Sequence, residues 1–362
     1  MNIQLIKAID AKIGRFVASV LPSPSLQKDD RNPHSILLIR PGGIGDAVLL
    51  APAIGALKKK FPYATITVLA EKRNAGIFNL ISSVDRVLCY DVLGEFLAAF
   101  RLDPDLIIDT EQYHRLSAVV ARLTGAANLI GYATNERARL FHHAIPYSQD
   151  NYEVNSFFGL LAPLGLSQPA SIDYPFLSVP SAAQDKAKQL LTPLAGRTIV
   201  SLFPGASIQE RRWGAERFGQ VATQLRLHGY GIVVVGGKED IATGSAIIRG
   251  GGFNLAGLTS LTETAAILEQ SALLISGDSG VLHLGVGVGI PTVSLFGPGI
   301  AQKWAPRGPQ HLVLNQKLDC SPCTQFGYTQ KCPRQAACLQ QISPNMVVEA
   351  ALLLLPDSDQ QG

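Results

Sequence analysis

Two glycine-rich turns, one in each half of the chain, constrain its fold more than any other feature. In ILLIRPGGIGDAVLL the apolar run 36–39 stops at Pro41-Gly42-Gly43, and helical periodicity begins at Ile44. In ALLISGDSGVLHLGVGVG the run 272–275 gives way to Gly277-Asp278-Ser279-Gly280. Both read as a buried strand running into a tight loop that opens a helix. Such a junction aims unpaired backbone N–H groups and the positive end of a helix dipole at one point, which suits a pyrophosphate or a catalytic carboxylate. Two junctions so far apart predict two sheets facing one cleft.

Around these turns, apolar runs alternate with helical periodicity. Strands are expected at 35–40, 65–71, 85–90, 105–109 and 128–132, with helices at 45–60, 74–81, 92–100 and 113–124. That order is the order of a parallel sheet covered on both faces. The proline-containing stretch 168–183 breaks the pattern and is the expected linker. Strands then resume at 198–203, 231–236, 272–276 and 292–296, with helices at 215–228, 239–249 and 280–288. A cysteine-containing loop and a last helix at 344–355 follow. The 362 residues are enough for two cores, and 47% apolar against 16% charged residues is the balance of a packed globular protein. The expected divisions are 1–34 (helix and linker), 35–170 and 181–343 (two α/β domains), and 344–362 (last helix and tail).

A net charge of +3 makes no case for a nucleic-acid partner. No apolar run has the length of a membrane span, and Lys7, Asp10, Lys12 and Arg15 interrupt the first apolar residues instead of preceding them. Neither a spanning helix nor a signal peptide is expected, and a cytoplasmic location is the default. Residues 3–21 are nevertheless amphipathic, with Leu5, Ile6, Ile9, Ile13, Phe16, Val17 and Val20 on one face and Lys7, Lys12 and Arg15 on the other. Periodicity reports a buried face but not what buries it. The helix either packs on its own domain or lies in the plane of a membrane surface, tied to the body through Pro22-Ser23-Pro24.

The first loop does not fit a dinucleotide fingerprint. Beginning GxGxxG at Gly43 requires glycine where Val48 stands, and no Lys-Ser/Thr follows as in a phosphate loop. Glu71, at the end of the second strand, does imitate the ribose-binding acid of a nicotinamide domain, so an NAD-dependent oxidoreductase is one alternative. Asp46 is the residue that alternative leaves over. It is either a first-turn acid that stabilises its helix or a general base that takes a proton as a sugar hydroxyl attacks.

The segments ILLIRPGGIGDAVLLAPAIGALKKKFP, SLFPGASIQERRWGAERF, NLAGLTSLTETAAIL, SGDSGVLHLGVGVGIPTVSLFGPG and Lys303-Trp304-Ala305-Pro306 together resemble glycosyltransferase family 9, the ADP-heptose:lipopolysaccharide heptosyltransferases, in matching order over roughly 35–350. The resemblance implies an α/β GT-B fold, with two Rossmann-like domains facing a central cleft and a last helix crossing back to the first domain. It implies inverting, metal-independent transfer of a sugar, heptose from ADP-heptose, to a lipid-anchored inner-core saccharide at the cytoplasmic face of the inner membrane. No cofactor beyond the nucleotide sugar is expected.

By the same resemblance Asp46 would be the general base, and Gly43 and Gly45 would keep side chains away from the incoming sugar. Ser279, Gly280 and Val281 would offer hydroxyl and backbone N–H groups to the donor pyrophosphate, with Asp278 holding the sugar or the loop and His283 beside the phosphate. Arg211 would neutralise the leaving group, Glu239 would contact the ribose and Leu258 would line the base pocket. Three departures bear on the identity of the sugar: Arg211 replaces the lysine of a KRW motif, Phe203 replaces histidine before Pro204-Gly205, and Gly299-Ile300 stand where threonine and a downstream acid are usual. A non-catalytic nucleotide-sugar-binding protein on the same fold is a further alternative, and Asp46 argues against it.

Plainer roles compete with these. His283 would be a satisfied core histidine, and Arg211 and Arg212 exposed charges ahead of a helix. Lys58, Lys59 and Lys60 suit a solvated helix end. Arg115, Arg122, Arg137 and Arg139 would meet acceptor phosphates, but scattered arginines are too common to be specific. His142-His143 has no matching ligands. Cys320, Cys323, Cys332 and Cys338 have the spacing C-x2-C-x8-C-x5-C, of which only the first pair is zinc-like, so reduced thiols packed in a loop are weighed against a structural metal.

Overall fold

The computed structural model describes residues 10–25, 32–325 and 328–356. The chain divides into two compact units, Met1–Ile172 and Asp173–Gly362, with the division inside the expected linker. Each unit is built on a parallel sheet of six strands. The first comprises β1 (Ser35–Ile39), β2 (Thr65–Ala70), β3 (Arg86–Cys89), β4 (Leu106–Asp109), β5 (Asn128–Tyr132) and β6 (His143–Ile145), in the spatial order β3-β2-β1-β4-β5-β6. The second comprises β7 (Ile199–Phe203), β8 (Gly231–Val234), β9 (Phe253–Asn254), β10 (Leu273–Gly277), β11 (Thr292–Phe296) and β12 (His311–Asn315), in the order β12-β11-β10-β7-β8-β9. Both are doubly wound Rossmann arrangements, which reverse direction at β1/β4 and at β7/β10. Ligands of such sheets bind beyond the carboxyl ends of the strands at that reversal, so the loops after β1, β4, β7 and β10 are the places to look.

The expected strands form because they are continuous apolar runs buried on both faces, as fits a parallel sheet. In the first unit Leu37, Ile39, Leu69, Ile107 and Leu129 pack against Ala118, Ala121 and Leu140. In the second, Val200, Leu202, Ile275, Val293 and Leu295 pack with Trp213, Phe218, Val221 and Leu225. The expected helix at 45–60 is two helices, Ile44–Leu49 and Ala51–Lys60, with Pro52 in the first turn of the second.

The final helix, Pro344–Leu354, is anchored in the C-terminal unit: Val347, Val348, Ala350 and Ala351 are part of its core. Trp213, 1% exposed, donates its indole N–H to the Ile342 carbonyl at 3.0 Å, and the Tyr230 hydroxyl donates to the Pro356 carbonyl at 2.9 Å. Both ends of the helix are thereby tied to the sheet it covers.

The N-terminal helix is described in part. Leu5, Ile6, Lys7 and Ile9 lie outside the described residues; what is described is a π-helical turn, Asp10–Gly14, and a helix, Arg15–Val20. The buried positions are Asp10, Gly14 and Ala18, whereas Ile13, Phe16 and Val20 of the expected buried stripe are 54%, 68% and 60% exposed. The Asp10 carboxylate sets this orientation by accepting from the backbone N–H groups of Arg115 (2.7 Å) and Leu116 (2.8 Å), where the helix Leu116–Thr124 begins. Burial pushes the Asp10 carboxyl up, but His114 and those N–H groups outweigh it and hold it below the ordinary range.

The placement of the last helix has a measurable consequence. Val347→Asp puts a charge into an apolar core, and unfolding free energy should fall by at least about 3 kcal/mol. Leu353→Ala, on the same helix but 80% exposed, should change it by less than about 0.5 kcal/mol. Denaturant titration of both variants checks the assignment, and equal effects would contradict it.

Candidate active site

In the N-terminal unit the site grows from the end of β1. Gly42 turns the chain at φ +100, Gly43 precedes the helix Ile44–Leu49, and Asp46 stands in its first turn. A side chain on Gly43 would start 2.7 Å from Asp46 Oδ2, so the glycine makes room for the carboxylate itself. Asp46 is 19% exposed, with Oδ2 lying 3.4 Å from Arg40 Nη2 and Oδ1 accepting from Gln112 Nε2 at 3.3 Å. Arg40, 2% exposed, also donates to the Thr110 carbonyl at 2.7 Å and to Gln112 Oε1 at 3.3 Å, and its Nη2 lies 3.8 Å from Glu111. Burial pushes the guanidinium down, but Asp46, Glu111 and Glu153 outweigh it and raise its pKa. Glu111, buried as well, is held below the ordinary carboxylate range by Arg40, His114 and Arg137 against the effect of burial.

Arg40, Glu111, Gln112 and Glu153 were invisible as site residues in the sequence. The signal available for the first three was topological: β1 and β4 flank the reversal point, and their carboxyl ends meet there. The arginines considered for acceptor phosphates have other occupations. Arg137 is buried against Asp109, Arg115 pairs with Glu136 at 2.9 Å, Arg122 donates to the Pro22 carbonyl at 3.1 Å and Arg139 donates to the Ser19 carbonyl. Glu71, the imitation of a ribose-binding acid, caps the helix Lys72–Phe78 and pairs with Arg73 at 2.9 Å.

In the C-terminal unit the loops after β7 and β10 meet in the same way. Arg211, from a short turn after β7, places Nη1 3.0 Å from the Asp278 carboxylate, with the two side chains 15% and 7% exposed. Gly277 allows the approach, since a side chain there would start 3.2 Å from the Arg211 carbonyl. Gly299 has the same effect on the other side: a side chain there would run into Asp278, which ties that departure from the family pattern to the position of this carboxylate. Arg212 is fastened to the Ala206 carbonyl at 3.0 and 2.9 Å, so the expectation of exposed arginines is overturned. The Ser279 hydroxyl caps the helix Gly280–Gly287, accepting from Leu282 N–H at 3.2 Å, and it is also 2.9 Å from Ser276 Oγ. Val281 and His283 are buried on that helix at 8% and 3%.

Glu239 is exposed in the loop after β8, with its carboxylate folded back over Gly237. Leu258 is 64% exposed on the next loop, where Gly257 N–H donates to the Gly236 carbonyl at 2.9 Å. The adjacent Asp240, missed in the sequence, is 2% exposed and accepts from Gly237 N–H at 3.0 Å; burial raises its pKa. Cys320 and Cys323 face outward while Cys338 is buried, and all are free thiols. Among the described residues no group of three or more His, Cys, Asp or Glu side chains is arranged to hold a metal ion.

Comparison with known proteins identifies the family and the fold. The family model described as glycosyltransferase family 9 (heptosyltransferase) matches residues 102–333. Lipopolysaccharide heptosyltransferase 3 of Escherichia coli is 26% identical over 289 residues, covering 72% of this chain and 83% of the relative. The solved structure of a family 9 glycosyl transferase from Veillonella parvula superposes with a TM-score of 0.75 at 19% identity, covering 92% of this chain and 98% of that one. E. coli ADP-heptose LPS heptosyltransferase II superposes with a TM-score of 0.74 at 20% identity, covering 88% and 98%. The fold is the GT-B arrangement of two Rossmann-like domains.

His283 yields a pH dependence. Burial lowers its pKa to about 4 from an ordinary 6.5, so the folded protein keeps the ring neutral at pH 7. Between those values the unfolded chain binds a proton that the folded chain does not, and stability present above pH 6.5 is lost as the pH falls toward 4. His311, also lowered to about 4 by burial, adds a second such loss. His283→Gln should flatten the acid-side decline of unfolding free energy by up to about 1.4 kcal/mol per pH unit. Denaturant titrations at several pH values check this, and an unchanged slope would show that the ring titrates normally.

Proposed function

Because the chain belongs to glycosyltransferase family 9, and is therefore a glycosyltransferase, we propose that it transfers heptose from ADP-heptose to an inner-core saccharide of lipopolysaccharide, with inversion and without a metal. The heptosyltransferase names of its relatives support the sugar and the acceptor class. The observation that carries the chemistry is the Asp46 carboxylate, set at the end of β1 and partly open to solvent, with Arg40 and Gln112 fixing its two oxygens.

Asp46 removes the proton of the attacking hydroxyl as its oxygen bonds to the anomeric carbon. The bond from that carbon to the diphosphate oxygen breaks, and the electron pair leaves with ADP. Leaving-group charge needs a cation in place beforehand. Arg211 supplies it, exchanging the Asp278 carboxylate for the diphosphate when the donor binds. The backbone N–H groups of Gly280 and Val281 and the Ser279 hydroxyl add to the anion site, while His283, neutral at pH 7, contributes no charge. Glu239 serves the ribose and Leu258 the base. Gly43 and Gly45 keep the approach to Asp46 free of side chains.

The acceptor's lipid anchor calls for attachment at a membrane surface. Among the described residues no helix is long and apolar enough to cross a membrane. The N-terminal helix instead presents Ile13, Phe16 and Val20 outward with Lys12 beside them, and Arg139 is exposed on the turn it packs against. The acids nearby are engaged: Asp10 of the helix is buried, and Glu136 of that turn is paired with Arg15 and Arg115. Apolar side chains rimmed by cations suit an anionic bilayer.

Two experiments test the reading. Asp46→Asn should lower turnover of ADP-heptose by about 10²–10⁴-fold while leaving ADP affinity nearly unchanged, and turnover within a few-fold of the parent would remove Asp46 as the base. The triple change Ile13→Ser, Phe16→Ser and Val20→Ser should weaken sedimentation with anionic vesicles without lowering the melting temperature. Equal sedimentation would refute the membrane surface.

A further inference from the structure

The side chains behind Asp46 are arranged as a clamp. The Gln112 amide N–H2 donates to two carboxylates at once, Asp46 Oδ1 at 3.3 Å and Glu153 Oε1 at 2.7 Å, while its carbonyl oxygen accepts from Arg40 Nη2 at 3.3 Å. Chemistry leaves the amide one orientation: carboxylates only accept and a guanidinium only donates, so a flipped amide would lose every partner. Glu153 is fully buried at the start of the helix Glu153–Gly159, and the Tyr147 hydroxyl donates to it at 3.1 Å. Folding has therefore placed a second carboxylate behind the first, bridged by one amide.

Several charged groups lie around Asp46. Arg40 is met by Asp46, Glu111 and Glu153; Arg137 is committed to Asp109; and Tyr132 and Tyr147 face the same group as neutral phenols, raised by burial and then by Glu153. Arg73 lies beyond Gly42 and is engaged by Glu71. Asp46, Glu111 and Glu153 all act on the Arg40 guanidinium at the reversal point, in surroundings where charges are weakly screened. Arg40 favours the Asp46 anion, and Glu153 opposes it.

We propose that Gln112 and Glu153 are positioning residues for Asp46: Gln112 fixes one carboxylate oxygen in place, and Glu153 locks the amide while its negative charge keeps Asp46 a stronger base than Arg40 alone would leave it. The proposal rests on Asp46 being the base of the transfer. The two residues then act on its basicity with opposite signs. Loss of the Gln112 N–H removes a hydrogen bond to the anion and raises the pKa of Asp46, whereas loss of the Glu153 charge removes a like charge and lowers it.

The test is the pH dependence of kcat/KM for the full-length enzyme with ADP-heptose. Gln112→Leu should move the acidic limb to higher pH and Glu153→Gln to lower pH. Each should reduce kcat by up to about 10²-fold with ADP affinity unchanged, and Glu153→Asp should recover part of the loss. Circular dichroism and thermal unfolding accompany each variant. If Glu153→Gln does not fold, the limb of Gln112→Leu, at a half-buried position, decides. Unshifted limbs and unchanged kcat in folded variants, with Asp46→Asn still inactive, would overturn the clamp and leave the base standing. An active Asp46→Asn would instead remove the base, and the clamp with it.

Discussion

Burying the Arg40 guanidinium to 2% exposure would cost several kcal/mol if it were left unpaired, so the loops after β1 and β4 are obliged to turn acceptors toward it. The planar fork reaches a backbone carbonyl at Thr110, an amide oxygen at Gln112 and the carboxylates of Asp46 and Glu111. These groups sit on two different strand ends, and one cation is what makes their conformations a single problem. The position of Asp46 is thus settled by the burial of its neighbour more than by its own helix. Glycine at 43 follows, because the carboxylate lies where a side chain would begin.

The C-terminal unit repeats the device with a different strength. Arg211 also bridges the two sides of a reversal point, but its side chain is 15% exposed and its ionic partner, Asp278, follows β10 directly. A pair that keeps access to solvent can exchange one anion for another at modest cost, whereas the Arg40 cluster cannot be opened without stranding buried charge. The cation of the pair is sealed in one sheet and reaches solvent in the other. On the roles proposed for Asp46 and Arg211, that contrast suits a base that must hold still and a cation that must meet an incoming diphosphate.

How much of this was legible depends on what each residue advertises. The central strands were plain because parallel strands buried on both faces are unbroken apolar runs. The edge strands His143–Ile145, Phe253–Asn254 and His311–Asn315 were not, since short half-exposed segments carry no such run. The helix Ser181–Leu191 was missed: it starts within the end of the expected linker, where Pro180, read as a breaker, is its N-cap. Asp46, Arg211, Asp278 and Ser279 were found through motifs. Gln112 and Glu153 belong to no motif, and only the topology brings them together. Asp240 was passed over for its neighbour Glu239, although it is the buried one of the two.

The N-terminal helix shows the limit of periodicity most clearly. Its apolar stripe predicts a buried face, and the area rule would turn Ile13, Phe16 and Val20 inward. A competing constraint prevails: the helix Leu116–Thr124 begins with unsatisfied N–H groups, and Asp10 is the carboxylate that meets them. Gly14 lets the backbone come close to Arg115, and Ala18 completes a small-residue seam one turn further on. Once Asp10 faces inward, helical geometry carries Ile13, Phe16 and Val20 outward, while Val17 keeps a place against the core. A stripe held in water by a polar anchor is stable only because the anchor and seam recover what its burial would have contributed. The helix therefore arrives with its apolar face unspent.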